Sequence, residues 1–324
     1  MNTRKNIAIL AGGDSSEFGI SLKSASLVEQ NLKDKYHTYL IEIKGGDWTH
    51  TTNGAKFNID KNDFSLTMNE NRIEFDLAFI AIHGTPGEDG KLQGYFDMLG
   101  VKHSSSNVLS SALGFNKGVC NDYLKNHGIK VAKSVQLFED IEFNEHHIIT
   151  ELGLPCFVKP NQAGSSYGVS KVLKESELLA AINEAFKHDK QVLVESFLDG
   201  IEVTCGVHNF NGALTAMPIT EIITENDFFD FEAKYQGESN EITPADLSTE
   251  IAQKIQDASK KVYQILGLNG VARVDFIIQN GEPFMIEANT VPGLSSESII
   301  PQQARAMGYT LPDFFEAWVE HSLK

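Results

Sequence analysis

The chain has 324 residues and a formal net charge of −17; 41% of it is hydrophobic and 9% aromatic. That apolar share excludes a disordered chain, and the length supplies cores for two or three domains. The acidic balance argues against a nucleic-acid or anionic-membrane surface, while a few local Lys and Arg still suffice to hold a small anionic substrate.

Met1 to Asn6 runs straight into a strand, with no apolar signal segment and no run long enough to span a bilayer. Ile7-Ala-Ile-Leu10 is that strand, followed by a Gly12-Gly13 turn and an amphipathic helix over 21–32. Tyr39 to Ile43 and Leu77 to Ile82 are further strands of a parallel α/β unit. Ligand contacts are expected beyond the strand C-termini, where Gly12 to Glu17 and His83 to Gly90 are polar. The composition shifts near Ser104, and a helix is expected over 110–126. Leu154 to Pro160 and Val192 to Glu195 read as strands and 176–188 as a helix, giving a small α+β domain over 104–194. Glu202 to Asn209 and Ala213 to Ile219 read as antiparallel strands joined around Asn211-Gly212. The acidic stretch 224–244 lacks periodicity and is long for a compact domain, so it reads as a lid or a disordered loop. A helix over 248–266, a hairpin and a structural last helix over 312–323 complete the chain. Cys120, Cys156 and Cys205 are odd in number and far apart, which predicts reduced, buried thiols in a cytoplasmic protein.

The hairpin carries the strongest signal. Arg273-Val-Asp275 ends one β run, Glu287-Ala-Asn289 ends the next, and Asn280-Gly281 is a tight-turn pair between them. Side chains two apart share a face, so Arg273 sits with Asp275, and Glu287 with Asn289. Hard oxygen donors beside an arginine suit magnesium held largely by phosphate oxygens; a solvated charged face is the plain alternative. Lys159 to Gly168 is a Gly/Ser-rich loop behind a strand that ends in Lys. It fits a phosphate cradle and an ordinary turn equally well, and it is not a Walker A loop. Lys117, Glu195, Glu202 and Lys234-Tyr235 each have a bland explanation as solvated or loop residues. Glu17 alone reads as a dipole-favoured acid in a first turn, or as a carboxylate for a substrate ammonium. His83 has no second His at ligand spacing, and His146-His147 reads as surface.

In order along the chain, Ala11 to Glu17, His83 to Gly90 with Gln93-Gly94, Val158-Lys-Pro160 with Gly164-Ser-Ser166, Glu232 to Tyr235, Arg273-Val-Asp275 and Glu287 to Gly293 with Ser298 resemble the D-alanine–D-alanine ligases of the ATP-grasp superfamily. The resemblance covers nearly the whole chain. It implies α/β and α+β architecture in a three-domain ATP-grasp fold: 1–103 as an N-terminal parallel α/β substrate domain, 104–194 as a central subdomain, and 195–324 as a C-terminal subdomain with a lid over 222–246 and the metal site. It implies that Glu17, with Ser165 and Tyr235, holds the ammonium of the first D-alanine beside His83. Lys117, Lys159 and Lys234 would hold ATP phosphates, and Glu195, the Leu198 backbone and Glu202 the adenine and ribose. Asp275, Glu287 and Asn289 would bind two Mg2+ or Mn2+ ions. Arg273 and the Gly293 amide would stabilise an oxyanion, and Ser298 would hold the second D-alanine's carboxylate. A homodimer is also implied.

Gln162-Ala163, Val291 and Glu297 depart from the family's usual residues, and Glu297 alters the charge beside Ser298. Tyr235 favours D-alanine over D-lactate as second substrate. A dinucleotide-binding oxidoreductase is the rival of another class, but Gly12-Gly13 lacks the required glycine spacing. A nucleotide-binding regulator without catalysis is opposed by the intact Arg273, Asp275, Glu287 and Asn289.

Overall fold

Strands that are apolar on both faces fix the centre of the first sheet. In the computed structural model, which describes residues 4–164, 167–224 and 239–324, β1 (Asn6–Gly12) is followed by α1 (Phe18–Leu32), β2 (His37–Lys44), β3 (Asp47–Thr52), β4 (Ala55–Asp60), β5 (Ser65–Met68), β6 (Asn71–Ile73), β7 (Leu77–Ile80) and α2 (Lys91–Leu99). The strand order is β6-β5-β4-β3-β2-β1-β7. β1 pairs in parallel with β2 and with β7, as the α/β reading expects. β3 to β6 form an antiparallel meander on one edge that the sequence reading passed over. Its signal was available in Asn53-Gly54, a two-residue hairpin pair.

The helix expected over 110–126 is two helices, α3 (Val108–Phe115) and α4 (Lys117–Asn126). Asn116 between them is extended (φ −88°, ψ 97°), and its side chain accepts the Val119 N–H as an N-cap. The break puts Lys117 in the first turn of α4 rather than mid-helix. There a cation opposes the helix dipole and needs acidic or carbonyl partners.

The second sheet, β10-β9-β11-β8, is antiparallel. It contains β8 (Ser134–Phe138), β9 (Cys156–Pro160), β10 (Ser170–Val172) and β11 (Gln191–Ser196), covered by α5 (Glu145–Leu152) and α6 (Glu175–Phe186). Leu137, Val158, Leu178, Ile182 and Val194 form its core.

The third sheet, β14-β13-β12-β15-β16, contains β12 (Ile201–His208), β13 (Thr215–Thr224), β14 (Ser239–Ile242), β15 (Val271–Gln279) and β16 (Glu282–Asn289). Against it pack α7 (Thr249–Ile265) and α8 (Ile299–Ala306), and α9 (Leu311–Ser322) follows. Within the expected lid over 222–246, residues 222–224 and 239–242 are ladder residues of β13 and β14. Trp318 and Phe315 of α9 bury against Phe79 of β7, and the Trp318 indole N–H donates to the Ser104 carbonyl. The last helix thus ties the third sheet's segment to the first sheet. Among the described residues no helix is long and apolar enough to cross a membrane.

Candidate active site

The β15–β16 hairpin brings the charged residues together through a bulge: the register slips by one between Phe276 and Asp275, with Ile286 as the extra residue of β16. Asn280 and Gly281 both take positive φ, the conformation of a tight hairpin turn. The ladder then sets Arg273 opposite Asn289 and Asp275 opposite Glu287. Arg273 grips Asp275 with two bonds, Nε to Oδ1 at 2.9 Å and a terminal nitrogen to Oδ2 at 2.7 Å. The Asn289 amide donates to Asp275 Oδ2 at 3.0 Å, and the Thr204 hydroxyl donates to Oδ1 at 2.5 Å. Asp275 is only 6% exposed, so these four donors fix a buried carboxylate. Thr204 was missed by the sequence reading. Its signal lies in the pairing, since it stands opposite Asp275 across β12 and β15.

Lys117 Nζ lies 3.4 Å from a Glu287 oxygen and donates to the Ala163 carbonyl at 2.8 Å. The first turn of α4, the hairpin and the Gly/Ser-rich loop therefore meet at one ammonium. Lys159 and Glu195 form an ion pair at 2.5 Å, both nearly buried, with the Asn121 amide donating to Glu195. Leu198 and Glu202 follow on the β11–β12 connection and on β12. Lys159, Glu195, Leu198 and Glu202 stand apart from the lining of the cavity described next.

That cavity, of about 1360 Å³, is lined by Glu17, His83, Lys117, Gly164, Arg273, Glu287, Asn289, Gly293 and Ser298 among others. Glu17 precedes α1 but makes no side-chain cap to it. Its carboxylate instead lies against Gly164, so the plain reading as a first-turn acid does not describe its position. His83 is buried, and burial drives its pKa down. Its Nδ1–H donates to the Val291 carbonyl at 2.9 Å, and Nε2 accepts from the Ser24 hydroxyl at 3.0 Å. Ser24 in turn accepts the Leu294 N–H at 3.1 Å. Both ring nitrogens thus position the 291–294 loop, which leaves neither for a metal or a proton transfer. Ser298 begins α8, and its hydroxyl accepts from the Ser295 N–H at 3.0 Å.

Two further acids were not singled out from the sequence. Glu88 accepts the Gly84 N–H at 2.7 Å and the Val291 N–H at 3.1 Å. Desolvation first, and then the charge of Glu17, push its pKa up to about 8. Glu241 on β14 accepts from the Gln302 amide at 2.6 Å, and burial raises its pKa. Ser165, Lys234 and Tyr235 lie outside the described residues. The three cysteines are buried and form no disulfide.

Three sheets, with an Arg/Asp/Glu/Asn hairpin facing a Gly/Ser loop and a lysine across one cleft, are the build of an ATP-grasp carboxylate–amine ligase. Residues 6–106 match the family model for the D-ala D-ala ligase N-terminus, and residues 123–320 that for the D-ala D-ala ligase C-terminus. A D-alanine--D-alanine ligase of Flavobacterium johnsoniae is 51% identical over 321 residues, 98% of this chain and 99% of that protein. Among solved structures, the VanG D-Ala:D-Ser ligase from Enterococcus faecalis matches with a TM-score of 0.86 at 32% identity, covering 99% of this chain and 100% of that one. The D-alanine--D-alanine ligase from Bacillus anthracis complexed with ATP matches with a TM-score of 0.80 at 29% identity, covering 98% and 97%. The chain belongs to the D-alanine–D-alanine ligase family.

Proposed function

We propose that this chain joins two D-alanines into D-alanyl-D-alanine for peptidoglycan precursor synthesis, consuming ATP and releasing ADP and phosphate. The observation that carries the reading is the shared cavity: Arg273, Glu287 and Asn289 of the hairpin line it together with Glu17, Gly164 and Ser298.

Glu17, only 8% exposed, anchors the first D-alanine's ammonium, with Ser165 and Tyr235 completing the set and His83 holding the adjacent loop. The first carboxylate attacks the γ-phosphorus of ATP; the bond to ADP breaks and an acyl phosphate forms. The second amine attacks that carbonyl, and Arg273 and the Gly293 N–H stabilise the oxyanion that results. Phosphate then leaves with one of the original carboxylate oxygens. Ser298 holds the second D-alanine's carboxylate. Lys117, Lys159 and Lys234 bind phosphates, while Glu195, the Leu198 backbone and Glu202 bind adenine and ribose.

Glu287 and the Asn289 amide oxygen offer hard oxygens that fit Mg2+ or Mn2+, and Asp275, paired with Glu287 across the ladder, would join them once a donor such as Arg273 turns from it. Among the described residues no cluster of three His, Cys, Asp or Glu that could hold a metal ion is present. Two such ions would neutralise charge on the phosphates. The reading also carries a homodimer. It carries a cytoplasmic setting, supported by three unbonded thiols.

The test is phosphate release from Mg-ATP with D-alanine, with L-alanine, and with D-alanine plus D-lactate or D-serine, with products identified by mass. D-Alanine-dependent release with a D-alanyl-D-alanine product supports the reading. Release with none of them refutes it.

A further inference from the structure

We infer that Gln303 is a positioning residue of the reaction: its side-chain amide stands in for a missing peptide group in the third sheet, directly opposite Arg273 and Asp275, and ties that point to the helix that begins at Ser298. The inference rests on the roles proposed above for Arg273, Asp275 and Ser298.

Gln303 lies on α8 and is fully buried, beside Ile300 and Met217, where an apolar side chain would be the ordinary choice. The β12–β13 ladder has a bulge here. Thr204 pairs with Thr220, Cys205 with Ile219, and then Val207 with Ala216, so Met217 and Pro218 together face the single residue Gly206. Pro218 has no N–H to give. Gln303 fills the gap as a strand's peptide would. Its Oε1 accepts the Gly206 N–H at 2.9 Å, and its Nε2 donates to the Thr204 carbonyl at 3.1 Å and to the Thr220 hydroxyl at 3.0 Å. An N–H on one side and a carbonyl on the other fix the amide's orientation. Residue 206 is glycine because a Cβ there would lie 2.6 Å from Gln303 Oε1 and 2.7 Å from Ile300 Cδ1.

On the other edge of β12, the ladder pairs Gly206 with Arg273 and Thr204 with Asp275. The two backbone groups that Gln303 grips therefore belong to the two residues facing that ion pair. Thr204 also sends its hydroxyl to Asp275. Gln303 lies five positions after Ser298 on the same helix. One amide thus sets the distance between the oxyanion arginine and the second substrate's subsite.

The experiment compares Gln303→Met, Gln303→Glu, Thr204→Val and Gln303→Met/Thr204→Val with the parent enzyme in D-alanine ligation. Melting temperature, kcat, KM for each D-alanine and equilibrium Mg-ATP affinity are measured. Gln303→Met is expected to lower kcat and to raise the second D-alanine's KM, each about tenfold, with the first D-alanine's KM nearly unchanged. The double variant should lose little more kcat than the worse single one, because both act through Asp275. If Gln303→Met does not fold, Gln303→Glu takes its place: it keeps an acceptor for the Gly206 N–H and loses the donor to Thr204. A folded Gln303 variant with parental kcat and second-site KM overturns the inference, whatever its melting temperature, and so do losses that multiply in the double variant. Failure of the parent enzyme to ligate D-alanine would instead overturn the functional reading.

Discussion

A Cβ on residue 164 would lie 2.3 Å from Glu17 Oε2 and 2.9 Å from its Cδ, so the Gly/Ser-rich loop and the Glu17 carboxylate are in direct contact through the absence of a side chain. Gly164→Ala must therefore push the Glu17 carboxylate aside. The displaced atoms are the end of a flexible side chain, so the protein should fold with a nearly unchanged melting temperature. The KM for the first D-alanine should rise, with up to about a 100-fold loss in kcat/KM for a misplaced anchor. Steady-state kinetics varying D-alanine at saturating ATP check this.

Arg273→Ala should lower kcat by roughly 100-fold to 1000-fold, the scale for removing one oxyanion donor. ATP binding should remain measurable by calorimetry, because Lys117 and Lys159 are anchored elsewhere, by Glu287 and Ala163 and by Glu195. Near-parental turnover would remove Arg273 from the oxyanion role.

Breaking the Lys159–Glu195 pair from the lysine side leaves a nearly buried carboxylate that keeps, among the described residues, the Asn121 donor. Lys159→Met should cost about 3–5 kcal/mol in unfolding free energy, and it should also raise the KM for ATP. Denaturant unfolding and ATP titration read the two effects separately.

Glu88 gives the stability a pH dependence of definite sign. Its folded pKa is raised to about 8, so the folded chain keeps a proton that the unfolded chain has already released. Its contribution is fully present below the ordinary carboxylate range and is lost as pH climbs from that range through about 8. Glu88→Gln removes the titration, so its melting temperature should fall less over this window than the parent's. Parallel curves would contradict the assignment.

Much of this site was legible because its residues obey short-range rules. Alternation puts Arg273 with Asp275 and Glu287 with Asn289, and the Asn-Gly turn sets the two strands side by side; the extra residue Ile286, a bulge in β16, turns the two pairs to one face. What the sequence hid depends on contacts between distant segments. Thr204 and Gln303 matter through ladder register and a bulge, which no local pattern encodes. Glu88 looked like part of a motif, and only packing shows that it holds both the Gly84 and Val291 amides. The helix expected over 110–126 is broken at Asn116, whose capping role shows in its extended backbone and in the Val119 N–H that its side chain accepts. The β3–β6 meander was overlooked for another reason: its strands are short and polar-edged, and the turns Gly45-Gly46 and Asn53-Gly54 are the signals that announce it.

The most direct test of the acyl-phosphate account follows the carboxylate oxygens. D-Alanine bearing heavy oxygen in its carboxyl group is turned over with Mg-ATP, and the released phosphate is examined by mass. One heavy oxygen per phosphate is expected, because the carboxylate attacks phosphorus and that oxygen leaves with the phosphate. Phosphate without the label, or label in a released nucleotide, would contradict the account.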